Sequence, residues 1–261
     1  MNDPADRSWR LWIPAALTFG NIFSGVAAVW LIVIAMHRAD ASIEDLSAPA
    51  VMIFVGWAFD VLDGPAARHF AVAGPFGAVL DSLADGISFG VAPATLAFAA
   101  AWLTGDVALQ AAMGIVGLFY VAAAIIRLAR FTARAVDDGA AGAPGPSWRQ
   151  FPIFSGLPSP AAGMTIATGI LAMAEAAPDF GVAALAVVTA LLATAMVSRL
   201  PYVDLPKALA RRVLPRWSMA IPVLVGLAFG VPVGLLALFA PYLASGPLLA
   251  LWRESEPGAR P

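Results

Sequence analysis

Four aspartates stand in two helix-spaced pairs between residues 60 and 85. The stretch reads Asp60-Val-Leu-Asp63-Gly64-Pro-Ala-Ala67-Arg68, then residues 69–76, then Gly77-Ala-Val-Leu-Asp81-Ser-Leu-Ala-Asp85. At about 100° per residue, Asp60, Asp63, Gly64 and Ala67 fall on one face of a helix, and Gly77, Asp81 and Asp85 on one face of the next. A short connection makes the two helices antiparallel neighbours, so the acidic faces can meet. Carboxylates gathered in this way are oxygen ligands for one or two hard divalent cations, Mg²⁺ or Mn²⁺. Two such ions suit the stabilisation of charge on a phosphoryl group and its leaving oxygen. A buried ion-pair network or a solvated vestibule is the other reading. It is disfavoured because one nearby arginine, Arg68, faces four aspartates.

The chain that must position these residues is apolar. Of its 261 residues 61% are hydrophobic and 12% charged, and its mean hydropathy is +0.83, which marks an all-α polytopic membrane protein embedded in a lipid bilayer. There are no cysteines, which excludes disulfides and thiolate metal sites. A net charge of −2 provides no basic footprint for nucleic acid. Apolar segments at about 13–36, 47–67, 77–103, 107–132, 157–175, 180–199, 216–230 and 232–252 predict eight transmembrane helices. The last two are joined by so short a turn, Gly230-Val231-Pro232, that a re-entrant hairpin is an alternative.

With the N-terminus inside, 14 of the 15 Lys and Arg residues fall on the inner side and only Arg38 falls outside. That asymmetry predicts cytoplasmic N- and C-termini in a multi-pass inner-membrane protein. The expected organisation is a cytoplasmic tail over 1–12, one transmembrane domain over 13–252 and a second cytoplasmic tail over 253–261. All four carboxylates then converge near the cytoplasmic surface. The loop from Gly139 to Pro160, with Trp148, Arg149, Phe151 and Phe154, reads as an interfacial linker or as a lid over a cytoplasmic site. An ionised carboxylate in a bilayer costs about 2.5–3.5 kcal/mol, so four left unpaired would cost on the order of 10 kcal/mol. Small residues at Gly64, Ala67 and Gly77 clear space for close approach, and Pro65 withdraws the amide that would bond the Val61 carbonyl. A divalent-cation transporter is the alternative from another class. The placement of the acids near one face and the lack of an internal repeat argue against it.

The pattern D-x2-D-G-x2-A-R-x8-G-x3-D-x3-D, matched at every fixed position, resembles the signature of the CDP-alcohol phosphotransferases. Three further stretches resemble the integral-membrane phosphatidylserine synthases of that family: Ser88-Phe-Gly-Val-Ala-Pro-Ala94, Arg127-Leu-Ala-Arg130-Phe131 and Phe154-Ser-Gly-Leu-Pro-Ser-Pro-Ala-Ala162. Thr18-Phe-Gly-Asn21 does so too, with Thr132 standing where Asn is expected. The resemblance implies transfer of the phosphatidyl group from CDP-diacylglycerol to L-serine with release of CMP. It implies divalent metal on Asp60, Asp63, Asp81 and Asp85, with Asp85 as general base. Asn21, Gly64, Arg68 and Gly77 are implied to line the CDP and diphosphate site, and the assembly is implied to be a homodimer. Arg127 and Arg130, at i and i+3, suit the acceptor carboxylate or a lipid phosphate, or simply anchor the inner end of their helix. Other acceptors for the same chemistry are choline, inositol phosphate and glycerol 3-phosphate. His37 and His69 have no ligand partners in the pattern and read as bystanders.

Overall fold

A computed structural model describes residues 4–70, 74–141, 153–176, 179–203 and 220–255. The described chain is almost entirely helical. α1 spans Pro4–Met36, α2 Ser47–His69, α3 Pro75–Asp85, α4 Ala92–Leu103 and α5 Val107–Ala141. α6 spans Ser159–Ala176, α7 Asp179–Val197, α8 Ala220–Phe229 and α9 Val231–Ser255. Each of the eight expected apolar segments therefore contains helix. Five stretches have the length and composition to cross a bilayer: Trp12–Met36, Ile43–His69, Phe76–Leu103, Val107–Ala133 and Val231–Leu251. Gly181–Val197 is a shorter apolar helix.

α6 forms the centre. Between Ala161 and Thr168 every side chain is buried, because this helix is apolar or small all round and packs against α2, α4, α7 and α9. Its first turn meets α5, and Glu175 near its other end approaches the α8–α9 turn at Gly230. That turn needs the backbone freedom of glycine, since Gly230 has φ 97°. Gly226 and Gly234 then let the two helices of this hairpin approach almost backbone to backbone.

Three features depart from the sequence expectation. The segment 77–103 is not one regular helix, because a π-helical turn, Gly86–Val91, joins α3 to α4. α5 continues beyond 132 to Ala141. A two-stranded antiparallel ribbon also supplements the all-α reading: β1, Ile153–Ser155, pairs with β2, Pro201–Val203. Tyr202 of β2 is buried against the face of α9, where Gly246 leaves room for its ring. Phe154, from the loop read as a linker or lid, lies in β1, whereas Trp148, Arg149 and Phe151 lie outside the described residues.

At the other end of the bundle Arg38 is neutralised locally. It donates to Asp45 at 2.8 Å and to Asp40 at 3.4 Å, and the bond from Arg38 holds the Asp40 carboxyl below its ordinary range. Beside the acidic cluster, α1, α2 and the π turn meet through two glycines. Gly56 faces the Asn21 side chain, and a Cβ on Gly25 would stand 2.8 Å from the Ser88 Cα. Gly25→Leu is expected to lower stability by about 1–3 kcal/mol through overpacking. Gly77→Ala, with nothing within 4 Å of the added methyl and a helical backbone that alanine favours, is expected to raise it by up to about 1 kcal/mol. Thermal unfolding of the two detergent-solubilised variants checks both.

Candidate active site

The two aspartate pairs sit where their spacing puts them. Asp60 and Asp63 lie on the last turns of α2, Asp81 and Asp85 on the last turns of α3, and α1 packs against both helices. Gly74 in extended conformation and Pro75 in the first turn start α3 cleanly, so its acidic face is set from the first turn. One carboxylate oxygen each from Asp60, Asp63 and Asp81 lie within 4.8 Å of one another. Asp85 adjoins Asp60 and is 8% exposed.

α1 supplies the hydrogen bonds. Asn21 donates its side-chain amide to Asp85 Oδ1 at 3.3 Å. The Thr18 hydroxyl lies 3.1 Å from Asp63 Oδ2 and 3.1 Å from the Pro14 carbonyl, sharing one proton between them. Asp81 Oδ1 is buried and has no hydrogen-bond donor among the described residues. Arg68 is exposed and makes no ion pair with the four aspartates among the described residues; its guanidinium lies over Gly64. Gly77 faces open space, with nothing within 4 Å of its would-be Cβ.

Two like charges about 4 Å apart cost roughly 4 kcal/mol at an effective dielectric constant of 20. Three converging carboxylates, one with an orphaned oxygen, form a group that could hold a cation, and their all-oxygen donor set fits a hard divalent ion. Among the described residues, Arg127 on α5 lies in electrostatic reach of Asp85 and Asp60. Arg127 is held off from them by donating to Ser159 Oγ at 2.7 Å.

Beside this cluster lies a cavity of about 410 Å³ lined by Arg127, Arg130, Phe131, Ser155 and the end of α7 through Arg199. Arg130 donates to the Val197 carbonyl at 3.1 Å. Arg199 was expected only as part of the charge asymmetry, and the structure adds it to the lining of this cavity. Its signal was its place directly after an apolar helix, in Ser198-Arg199-Leu200-Pro201. Thr132, at the position where Asn was expected, forms a 2.6 Å hydroxyl contact with Ser82, tying α5 to the acidic helix. His69 packs edge-on against Phe70.

The π turn that follows Asp85 is braced from two sides. Ser88 donates to the Asn21 backbone carbonyl at 2.8 Å, and the buried Tyr120 donates to the Phe89 carbonyl at 2.9 Å. Neither brace was anticipated from the sequence.

Residues 11–199, which contain the aspartates, Asn21 and all three arginines of the cavity, match the CDP-alcohol phosphatidyltransferase family. The chain belongs to that family. Among similar proteins is the CDP-diacylglycerol–serine O-phosphatidyltransferase of Mycobacterium leprae (strain TN), 33% identical over 162 residues, 62% of this chain and 47% of that protein. The protein of the same name from Bacillus subtilis (strain 168) is 30% identical over 156 residues, 59% of this chain and 73% of that one. The archaetidylserine synthase of Methanothermobacter thermautotrophicus (strain Delta H) is 33% identical over 171 residues, 64% of this chain and 61% of that one. The matches span about half the length of the mycobacterial relatives.

For a CDP-alcohol phosphatidyltransferase with this acidic geometry, Asp81→Asn is expected to weaken Mn²⁺ binding by well over the ~10-fold that loss of an outer-shell partner costs. Asp40→Asn, in the turn at the far end, is expected to leave it unchanged. Calorimetric titration of Mn²⁺ into the purified protein checks both.

Proposed function

We propose that the protein makes phosphatidylserine, transferring the phosphatidyl group of CDP-diacylglycerol to the hydroxyl of L-serine and releasing CMP. The observation that carries this reading is the adjacency of an oxygen-ligand cluster and an arginine-lined cavity, with Asp85 in electrostatic reach of Asp60 in the one and Arg127 in the other. The names of the similar proteins from Mycobacterium leprae and Bacillus subtilis support serine as the acceptor.

In this reading Asp60, Asp63, Asp81 and Asp85 hold two Mg²⁺ or Mn²⁺ ions. When bound, the ions supply positive charge against the diphosphate and the departing CMP. Gly64 and Gly77 leave room for the nucleotide, and Arg68 contributes a guanidinium at its rim. Asp85 accepts the proton of the serine hydroxyl as that oxygen attacks the lipid-side phosphorus. A new P–O bond to serine forms while the bond to the CMP oxygen breaks. Asn21 orients Asp85 through the 3.3 Å hydrogen bond. Arg127 and Arg130 bind the serine carboxylate, which faces the hydroxyl toward Asp85.

The proposed setting is one domain over 13–252, crossing the inner membrane eight times as a homodimer. Its termini and active site face the cytoplasm, in keeping with the basic residues on that side. A second reading has one specific observation behind it. Arg199 joins Arg127 and Arg130 around the cavity, and three guanidiniums suit a phosphate-bearing acceptor such as glycerol 3-phosphate or inositol phosphate.

Purified protein supplied with CDP-diacylglycerol and Mn²⁺ is expected to release CMP with serine and not with choline, glycerol 3-phosphate or inositol phosphate. Release with a phosphorylated acceptor instead selects the second reading, and release with none overturns both. Asp85→Asn is expected to abolish turnover while the protein still binds CDP-diacylglycerol; retained turnover removes Asp85 from the role of base. A reporter fused after residue 42 is expected to signal the exported side, and a cytoplasmic signal there reverses the topology.

A further inference from the structure

The arginine-lined cavity does not end at polar walls. Val197 and Ser198 also line a second space of about 580 Å³, an apolar groove running between α5 and α7 past Phe119, Ala122, Ile126 and Ala190. The polar groups along it are already satisfied within their own helix. Thr194 donates to the Ala190 carbonyl at 2.9 Å and Ser198 to the Ala195 carbonyl at 2.8 Å. The groove thus offers apolar surface and asks for no hydrogen bond. In the cavity that adjoins it at Val197 and Ser198 stand Arg130 and Arg199, both exposed, and neither has a carboxylate partner within 4 Å among the described residues. Positive charge at one end of an apolar channel is the complement of an amphiphile with an anionic head.

We propose that this groove is a phospholipid site. One acyl chain of an anionic phospholipid lies between α5 and α7, with its phosphate on Arg130 and Arg199. A second copy of the chain fits less well. A symmetric contact across this groove brings the unneutralised arginine clusters of both copies toward each other, which costs energy wherever they are desolvated. A free anion fills the cavity but leaves the groove unused. The arginines are those of the proposed acceptor cavity, so the site rests on that reading for its charged end, while the apolar groove between α5 and α7 lies outside the acceptor and metal roles given above.

The test is native mass spectrometry of the full chain in detergent, titrated with dioctanoyl phosphatidylglycerol. Glycerol 3-phosphate serves as the chainless head and dioctanoyl phosphatidylcholine as the zwitterionic control. One phosphatidylglycerol is expected per chain, with weak binding of either control. Arg199→Gln is expected to weaken binding about tenfold, the loss of one charge-assisted contact. Ala122→Phe and Thr194→Phe, at two lipid-exposed positions, are expected to do the same by filling the groove. Unchanged Mn²⁺ affinity in all three variants shows that they are folded with the acidic cluster intact, whatever becomes of CMP release. The proposal is overturned if glycerol 3-phosphate competes as well as the lipid, which makes the cavity a free-anion site. It is also overturned if the two groove variants bind lipid normally, or if they lose dimer mass while keeping lipid. Stoichiometric displacement by CDP-dioctanoylglycerol makes the groove the donor's own acyl channel and overturns it as well.

Discussion

Everything at the working end of this bundle follows from placing like charges together where water is scarce. One oxygen from each of three carboxylates lies within 4.8 Å of the others and a fourth carboxylate adjoins them, on two helices crossed by α1. Left alone, that arrangement drives α2 and α3 apart. What holds them is the packing of α1 across both, with Thr18 and Asn21 donating to one carboxylate on each helix. The hydrogen bonds orient the carboxylates without supplying a positive charge, which leaves oxygens of the cluster open to a cation.

The arginines are arranged by the same logic with opposite sign. A guanidinium free to swing toward Asp85 would form an ion pair and quench the acidic cluster. Arg127 is restrained by Ser159 at the start of α6, and Arg130 by a carbonyl at the end of α7. Two poles of charge therefore persist side by side, one acidic on α2 and α3 and one basic on α5 and α7. Such a division suits a reaction in which a diphosphate and a second anion must be brought together despite repelling each other, each against its own counter-charge.

The acidic half of this design was legible in the sequence because it is local. A helix repeats every 3.6 residues, so the intervals from Asp60 to Asp63 and from Asp81 to Asp85 fix shared faces without knowledge of the fold. The apolar segments were legible for a similar reason, since hydrocarbon thickness dictates their length. The basic half was only partly so. Arg127 and Arg130 stand one turn apart and were picked out, but Arg199 joins them across 69 residues through the packing of α5 on α7. The β1–β2 ribbon escaped for the same cause, because each strand has three residues and no periodicity of its own. Arg68 was read as the cation nearest the acids, since sequence proximity cannot tell which way a long side chain turns.

The π turn after Asp85 illustrates how an irregularity is sustained. In regular α-helical spacing the Phe89 carbonyl bonds the amide at position 93, but residue 93 is proline and has none to give. A buried carbonyl without a donor costs about 1–3 kcal/mol. Tyr120, fully buried on α5, places its hydroxyl 2.9 Å away and supplies that carbonyl with a donor, while Ser88 in the same turn bonds back to Asn21. Asn21 in turn bonds Asp85. The proline in the first turn of α4, the tyrosine that donates to the Phe89 carbonyl and the asparagine that orients the acid thus lie around one turn. Widened turns of this kind are common at functional sites. Here the turn begins at the residue directly after Asp85, so the register of α3 relative to α4, and with it the height of the acidic face against α1, is braced by Tyr120 and Ser88, which bond backbone carbonyls, and by Asn21, which bonds the acid itself.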